Sequence, residues 1–216
     1  MVDCYAWSLI DSTNFPPSQS RGGFYYTAAN NANWPADYGD NSASQWAYIG
    51  LEAARNTFGC NIPSWTIANL AGYLHGQLAW NNNGIGFVSY RTNHRTQSVV
   101  LTGGALIGMA LVGQADYDAQ NGAGAFATDM DNAKKILGAN WLGQGWQWTE
   151  NWYGHRAYYT MYAMMKGFRL NGINSLATAP GTPSWYDDYV SVMIPGQYAD
   201  GHWRGSGWMD GYIVDQ

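Results

Sequence analysis

Apolar residues along this chain recur at steps of three and four, the spacing that lines one face of an α-helix. Residues 44–58, SQWAYIGLEAARNTF, place Trp46, Ala47, Gly50, Leu51, Ala54 and Phe58 on one such face. The polar cluster DNS at 40–42 supplies an N-cap ahead of it, and Gly59 supplies a stop behind it. Residues 62–80, IPSWTIANLAGYLHGQLAW, repeat the pattern with Pro63 near the start and a stripe of Ile67, Leu70, Ala71, Leu74 and Leu78. Two further pairs follow: 97–113 with 128–141, and 156–172 with 182–194, the last stopped by Pro195. No segment alternates apolar and polar residues over several positions, so the pattern predicts an all-α chain of seven or so helices arranged as helix pairs. Glycines inside the helices at 103, 104 and 108 predict close helix-on-helix approach.

The pairs recur with a fixed period. A glycine-aromatic element ends at Phe24, Phe87, Trp146 and Trp203, at separations of 63, 59 and 57 residues. A second landmark, Gly50-Leu51, Gly108-Met109 and Gly167-Phe168, steps by 58 and 59. Both give a period near 58 and divide a single domain, 1–216, into units of 25–87, 88–146 and 147–203 with a partial unit at each end. The segments NWLGQGW (140–146) and QYADGHW (197–203) are two copies of one amide-to-tryptophan element.

The helix pairs, QYADGHW, and GHRAYYTMYAMMKGF at 154–168 resemble the prenyltransferase and squalene-oxidase repeat of the terpenoid-cyclase and protein-prenyltransferase toroids. The resemblance spans nearly the whole chain. It implies antiparallel helix pairs forming the inner and outer layers of an (α/α) barrel, with Gln197 and Trp203 stapling neighbouring helices. A complete toroid of that family has six pairs against three here, which implies a partial toroid or an open α-solenoid.

The catalytic motifs of that family are missing or incomplete. Where prenyltransferases carry a zinc-binding histidine, the run AYYTMY has Tyr159, and Cys60 with His75 falls short of three protein ligands. The expectation is that Cys60, His75, His155 and Asp129 hold no metal, and that no cofactor is used. The nearest match to an acid-bearing DxDD is DMDN at 129–132, which reads as the N-cap of the helix over AKKILGANW. Gly59-Cys60 lacks the rest of a thioester motif.

Composition narrows the partners. Charged residues make up 12% of the 216 and the net charge is -5, so no basic face exists to neutralise nucleic-acid phosphates. No apolar run is long enough to span a bilayer, and the N-terminus lacks the basic start and apolar stretch of a secretory leader. Twelve tryptophans, 27 glycines and few lysines lean toward an extracellular or envelope surface. Cys4 and Cys60 are too few for a disulfide framework, and whether they pair stays open.

The leading expectation is therefore a non-catalytic extracellular or envelope repeat module that binds another protein or a polysaccharide, or self-associates into a ring or filament. Candidate contacts between copies are Tyr5, Trp7 and Leu9 at one end and Trp208, Met209, Tyr212 and Ile213 at the other. The alternatives are a divergent isoprenoid cyclase or transferase and a polysaccharide-active lyase on an α/α toroid. For the lyase, Asn93, His94 and Arg95 in one loop, with Tyr153, His155, Arg156, Tyr158 and Tyr159 in another, are residue types suited to neutralising a uronate and removing a proton. Trp148, Trp152 and Trp208 are the expected exposed tryptophans, while Trp146 and Trp203 are assigned to packing.

Overall fold

The computed structural model describes residues 2–9, 22–26, 39–79, 88–89, 97–141, 149–150, 155–156, 158–176, 184–201 and 203. These are mostly helical: α1 (Val2–Ser8), α2 (Asn41–Phe58), α3 (Ser64–Ala79), α4 (Val99–Val112), α5 (Gln114–Asn121), α6 (Ala125–Trp141), α7 (Tyr158–Leu170) and α8 (Trp185–Gly196). Short antiparallel ladders pair β1 (Val88–Ser89) with β2 (Gln97–Ser98) and β3 (Thr149–Glu150) with β4 (His155–Arg156).

Local signals explain both ends of α2 and the start of α8. Asp40 caps α2 by accepting from the backbone N–H groups of Ser42 and Ala43, and Gly59 ends it in the left-handed conformation at φ 65°, donating to Ala54 and Arg55. Ser184 caps α8 by accepting from the Asp187 N–H. Pro195 does not stop that helix before itself; it lies in the last turn, where the helix runs one residue further to Gly196. The pattern did not predict α5, an eight-residue polar helix bounded by Gly113 and Gly122.

The core centres on α4, which packs against α2, α3 and α7. Leu101, Ala105, Leu106, Ile107, Met109, Leu111 and Val112 of α4 are all buried, as is the predicted α3 stripe of Ile67, Leu70, Ala71, Leu74 and Leu78. A helix this apolar has no polar face, and its neighbours cover most of it.

Glycines let the backbones approach. A Cβ on Gly167 of α7 would lie 2.7 Å from the Gly103 carbonyl oxygen of α4, and one on Gly103 would lie 2.9 Å from the α7 backbone at Ala163 and Met164. On α4, Gly104 faces the Gln45 side chain of α2, and Gly108 faces Tyr48 of α2 and Leu74 of α3. Gly50 faces Tyr5 of α1. Gln45 and Tyr48 thus meet Gly104 and Gly108, while Gly103 and Leu106 meet Ala163 and Gly167. Positions increase together in both sets, so α2, α4 and α7 run parallel. The three repeat glycines each sit at a helix contact but meet different groups: the Tyr5 ring at Gly50, Tyr48 and Leu74 at Gly108, and the Gly103 backbone with Leu106 at Gly167.

Several expectations need correction. Trp46 and Phe58 were expected on the buried stripe of α2, yet they are 50% and 76% exposed. The buried ridge is Ala47, Leu51 and Ala54; Trp46 sits one residue off it, and Phe58 is the last residue of the helix. Leu9 is buried in the core cluster with Phe24 and Tyr48, so it offers no surface to a second copy. Asp129 is not an N-cap. The helix begins at Ala125, a turn earlier, and its Phe126 N–H donates 2.8 Å to the Asp118 carboxylate at the end of α5.

Candidate functional site

Two side-chain constellations stand out, carried by different helices. The first spans α2 and α7. From α2, Trp46 lies near-parallel to Tyr159 (ring centroids 6.0 Å apart, 23° between planes) and to Tyr162 (6.2 Å, 19°) of α7. Stacked faces touch at about 3.5 Å, so a 6 Å separation of near-parallel rings means a sideways displacement of about 5 Å. The overlap is therefore partial. Trp46 is 50% and Tyr162 37% exposed, forming an aromatic shelf.

Polar groups flank the shelf. At its root, buried Gln45 donates through Nε2 to the Tyr159 hydroxyl, while its Oε1 has no hydrogen-bond partner among the described residues. A buried amide oxygen without a donor carries a desolvation cost. Two turns along, Lys166 of α7 meets Glu52 of α2 at 3.7 Å, and Asn56 donates 2.9 Å to the other Glu52 oxygen. The helix rise places Glu52 about 10 Å from Gln45 along α2. The shelf is an aromatic strip with hydrogen-bonding groups at both ends.

The second constellation joins α3, α5 and α6. His75 Nδ1 lies 2.7 Å from Asp129 Oδ2, and the Tyr117 hydroxyl donates 2.7 Å to the same oxygen. Asp129 and Tyr117 are buried, whereas the His75 side chain is partly exposed. Burial, reinforced by the adjacent Asp129 charge, pushes the Tyr117 phenol far above its ordinary range, so it stays a proton donor. The carboxylate holds the Nδ1 side of the imidazole, an arrangement that fixes ring orientation in proton-transferring histidines.

Of the residues expected for a lyase or ligand site, Asn93, His94, Arg95, Trp148, Trp152 and Tyr153 lie outside the described residues. Trp146, Trp208, Met209, Tyr212 and Ile213 lie outside them as well. His155 belongs to β4 and pairs with Glu150. Tyr158 and Tyr159 open α7 instead of belonging to a loop, and of the described candidate ligand residues Tyr159 falls on the shelf.

At the α1 end, Trp7 is 63% exposed, whereas Tyr5 is half-buried with its ring edge-on to Phe24. Cys4 and Cys60 are both exposed and unbridged. Gln197 pairs with Trp203 and donates to the Gly201 carbonyl, and the Trp203 indole donates back to Met193 of α8. Among the described residues no group of three His, Cys, Asp or Glu is placed to hold a metal ion, and no helix is long and apolar enough to cross a membrane.

Sequence reading missed Trp46, Tyr162, His75, Asp129 and Tyr117 as parts of sites. For Trp46 a signal existed: it is the residue beside the buried ridge. For His75 and Asp129, 54 residues apart on different helices, no spacing rule connects them. No protein-family model, curated protein or solved structure matches the chain.

Proposed function

We propose that this chain is a non-catalytic helical-repeat module of the cell envelope or extracellular space that works by binding, with the α2–α7 shelf as its contact surface. One observation carries this reading: Trp46 and Tyr162 hold large, near-parallel, exposed rings in a row at a helix–helix junction. Exposed aromatics clustered in this way mark recognition surfaces, because they offer large contact area at low conformational cost. The partner is a polysaccharide or another protein.

The scaffold is read as a partial toroid or open solenoid of prenyltransferase and squalene-oxidase repeats. Support comes from the parallel course of α2, α4 and α7 and from the repeat glycines, each at a helix contact. Self-association into a ring or filament belongs to the same reading, with exposed Trp7 as its support at the α1 end.

Retention on insoluble envelope polysaccharide tests the binding surface. Wild-type protein is expected to sediment with the polymer and a Trp46→Ala, Tyr162→Ala double variant to stay in solution. Equal behaviour of the two would remove the shelf from the function. Sedimentation velocity at micromolar protein tests association, and a concentration-independent monomer would end that part of the reading.

A second reading, a polysaccharide-active enzyme, is favoured by the His75–Asp129 contact, which leaves the opposite ring nitrogen of a partly exposed histidine for proton transfer. Release of new chain ends from a polysaccharide by wild type, lost in His75→Ala, would move that reading to first place.

A further inference from the structure

The binding-module reading leaves its ligand unspecified, and the chemistry of the shelf narrows the choice. We propose that the shelf takes an uncharged polysaccharide chain lying along α2 and α7, its sugar rings packed on Trp46 and Tyr162. This inference rests on the binding-module reading.

Three features carry it. The aromatic rings are displaced so that part of each remains uncovered, and Trp46 and Tyr162 keep 50% and 37% of their surface open to solvent. The C–H face of a pyranose fits such a surface, because the negative face of the ring attracts its polarised hydrogens. A long isoprenoid would instead require an enclosed apolar site.

The hydrogen-bonding groups suit hydroxyls. At one end lies the Tyr159 hydroxyl, a hydroxyl-type partner, while Gln45 beneath it is buried and serves to hold that tyrosine. At the other end, Glu52 and Lys166 offer acceptors and donors side by side. The separation of these ends, about 10 Å along the helices, matches a short run of sugars better than a single one.

The charge balance opposes an acidic polymer. The Lys166 ammonium already faces Glu52 at 3.7 Å, so a uronate carboxylate would compete with a fixed negative charge for it. Arg169, in the last turn of α7, lies about 10 Å along the helix from Tyr162, past the ring row.

Titration calorimetry on the full chain, with far-UV circular dichroism as the folding control, tests the inference. The probes are soluble cello-, xylo- and chito-oligosaccharides and, as the charged counterpart, oligogalacturonate. At least one uncharged oligosaccharide is expected to bind wild type, with affinity reduced about tenfold or more in Trp46→Ala and largely restored in Trp46→Phe. Trp46-dependent binding of oligogalacturonate alone would overturn the inference and leave the binding-module reading standing. Binding of uncharged sugars that ignores Trp46 would overturn both. Failure of every sugar to bind would overturn the inference, while polymer retention lost in the Trp46, Tyr162 double variant would still support the module.

Discussion

His75 of α3 and Asp129 of α6 meet at 2.7 Å, and Tyr117 of α5 joins them by donating to the same carboxylate oxygen. Three helices are thereby fastened through one buried atom. Hydrogen bonds to a charged acceptor are the stronger kind, and the groups they satisfy are costly to orphan.

Replacing Asp129 with Ala is expected to lower unfolding free energy by about 3 kcal/mol, because the buried Tyr117 hydroxyl loses its acceptor and His75 its partner. Adding Tyr117→Phe to that variant is expected to recover part of the loss by removing the orphaned hydroxyl. Urea denaturation of wild type, both single variants and the double variant measures the coupling; purely additive effects would contradict a shared network.

Two glycine-to-alanine changes in helices should move stability in opposite directions. Ala at 167 places a methyl group 2.7 Å from the Gly103 carbonyl oxygen, so its strain, about 1–3 kcal/mol, is expected to exceed the roughly 1 kcal/mol gained in helix propensity. Ala at 72 in α3 meets nothing nearer than the flexible Gln120 side chain at 3.8 Å and is expected to stabilise by about 0.5–1 kcal/mol. Thermal unfolding of the two variants checks the signs.

The fold should be sensitive to alkali. Burial first, and for some a neighbouring carboxylate, pushes the phenols of Tyr48, Tyr73, Tyr117 and Tyr189 above the ordinary value of 10.0. A raised folded-state value contributes stability that is fully present below pH 10 and lost as pH rises beyond it. Each such tyrosine removes about 1.4 kcal/mol per pH unit in that range. Phenolate absorbance and helical dichroism are therefore expected to change together above pH 10; phenols ionising in a still-folded protein would contradict this.

Both thiols should react in the native protein. Cys4 and Cys60 are exposed and unbridged, so a thiol reagent is expected to label two sites without denaturant, with no mass difference between reduced and unreduced protein before labelling.

How much of this was legible depends on where the information lies. The caps at Asp40 and Gly59 and the buried stripe of α3 are local patterns, and the chain displays them openly. The short polar α5 has too few apolar positions to show a period, and its start and stop are glycines with several other uses. Asp129 was misread because the donor of its helix start is answered by Asp118, a residue from the preceding helix that no cap rule anticipates. Trp46 was assigned inward by a spacing rule that tolerates one residue of error, and one residue on a helix is about 100° of rotation. The shelf could not be read at all, because it exists only where α2 and α7 come within ring contact across α4.

That crossing has a mechanical consequence. Between the two ring-bearing helices, α4 touches α7 backbone to backbone at Gly103, with Leu106 beside that contact, and receives Gln45 of α2 at Gly104. Side chains can change rotamer to absorb a perturbation, but main chain in van der Waals contact cannot. The spacing of the helices that carry Trp46 and Tyr162 is thus held at these glycine contacts. A polymer lying on the rings would be sorted by the pitch of its own repeat, and a single methyl group added at position 103 would reset the spacing it meets.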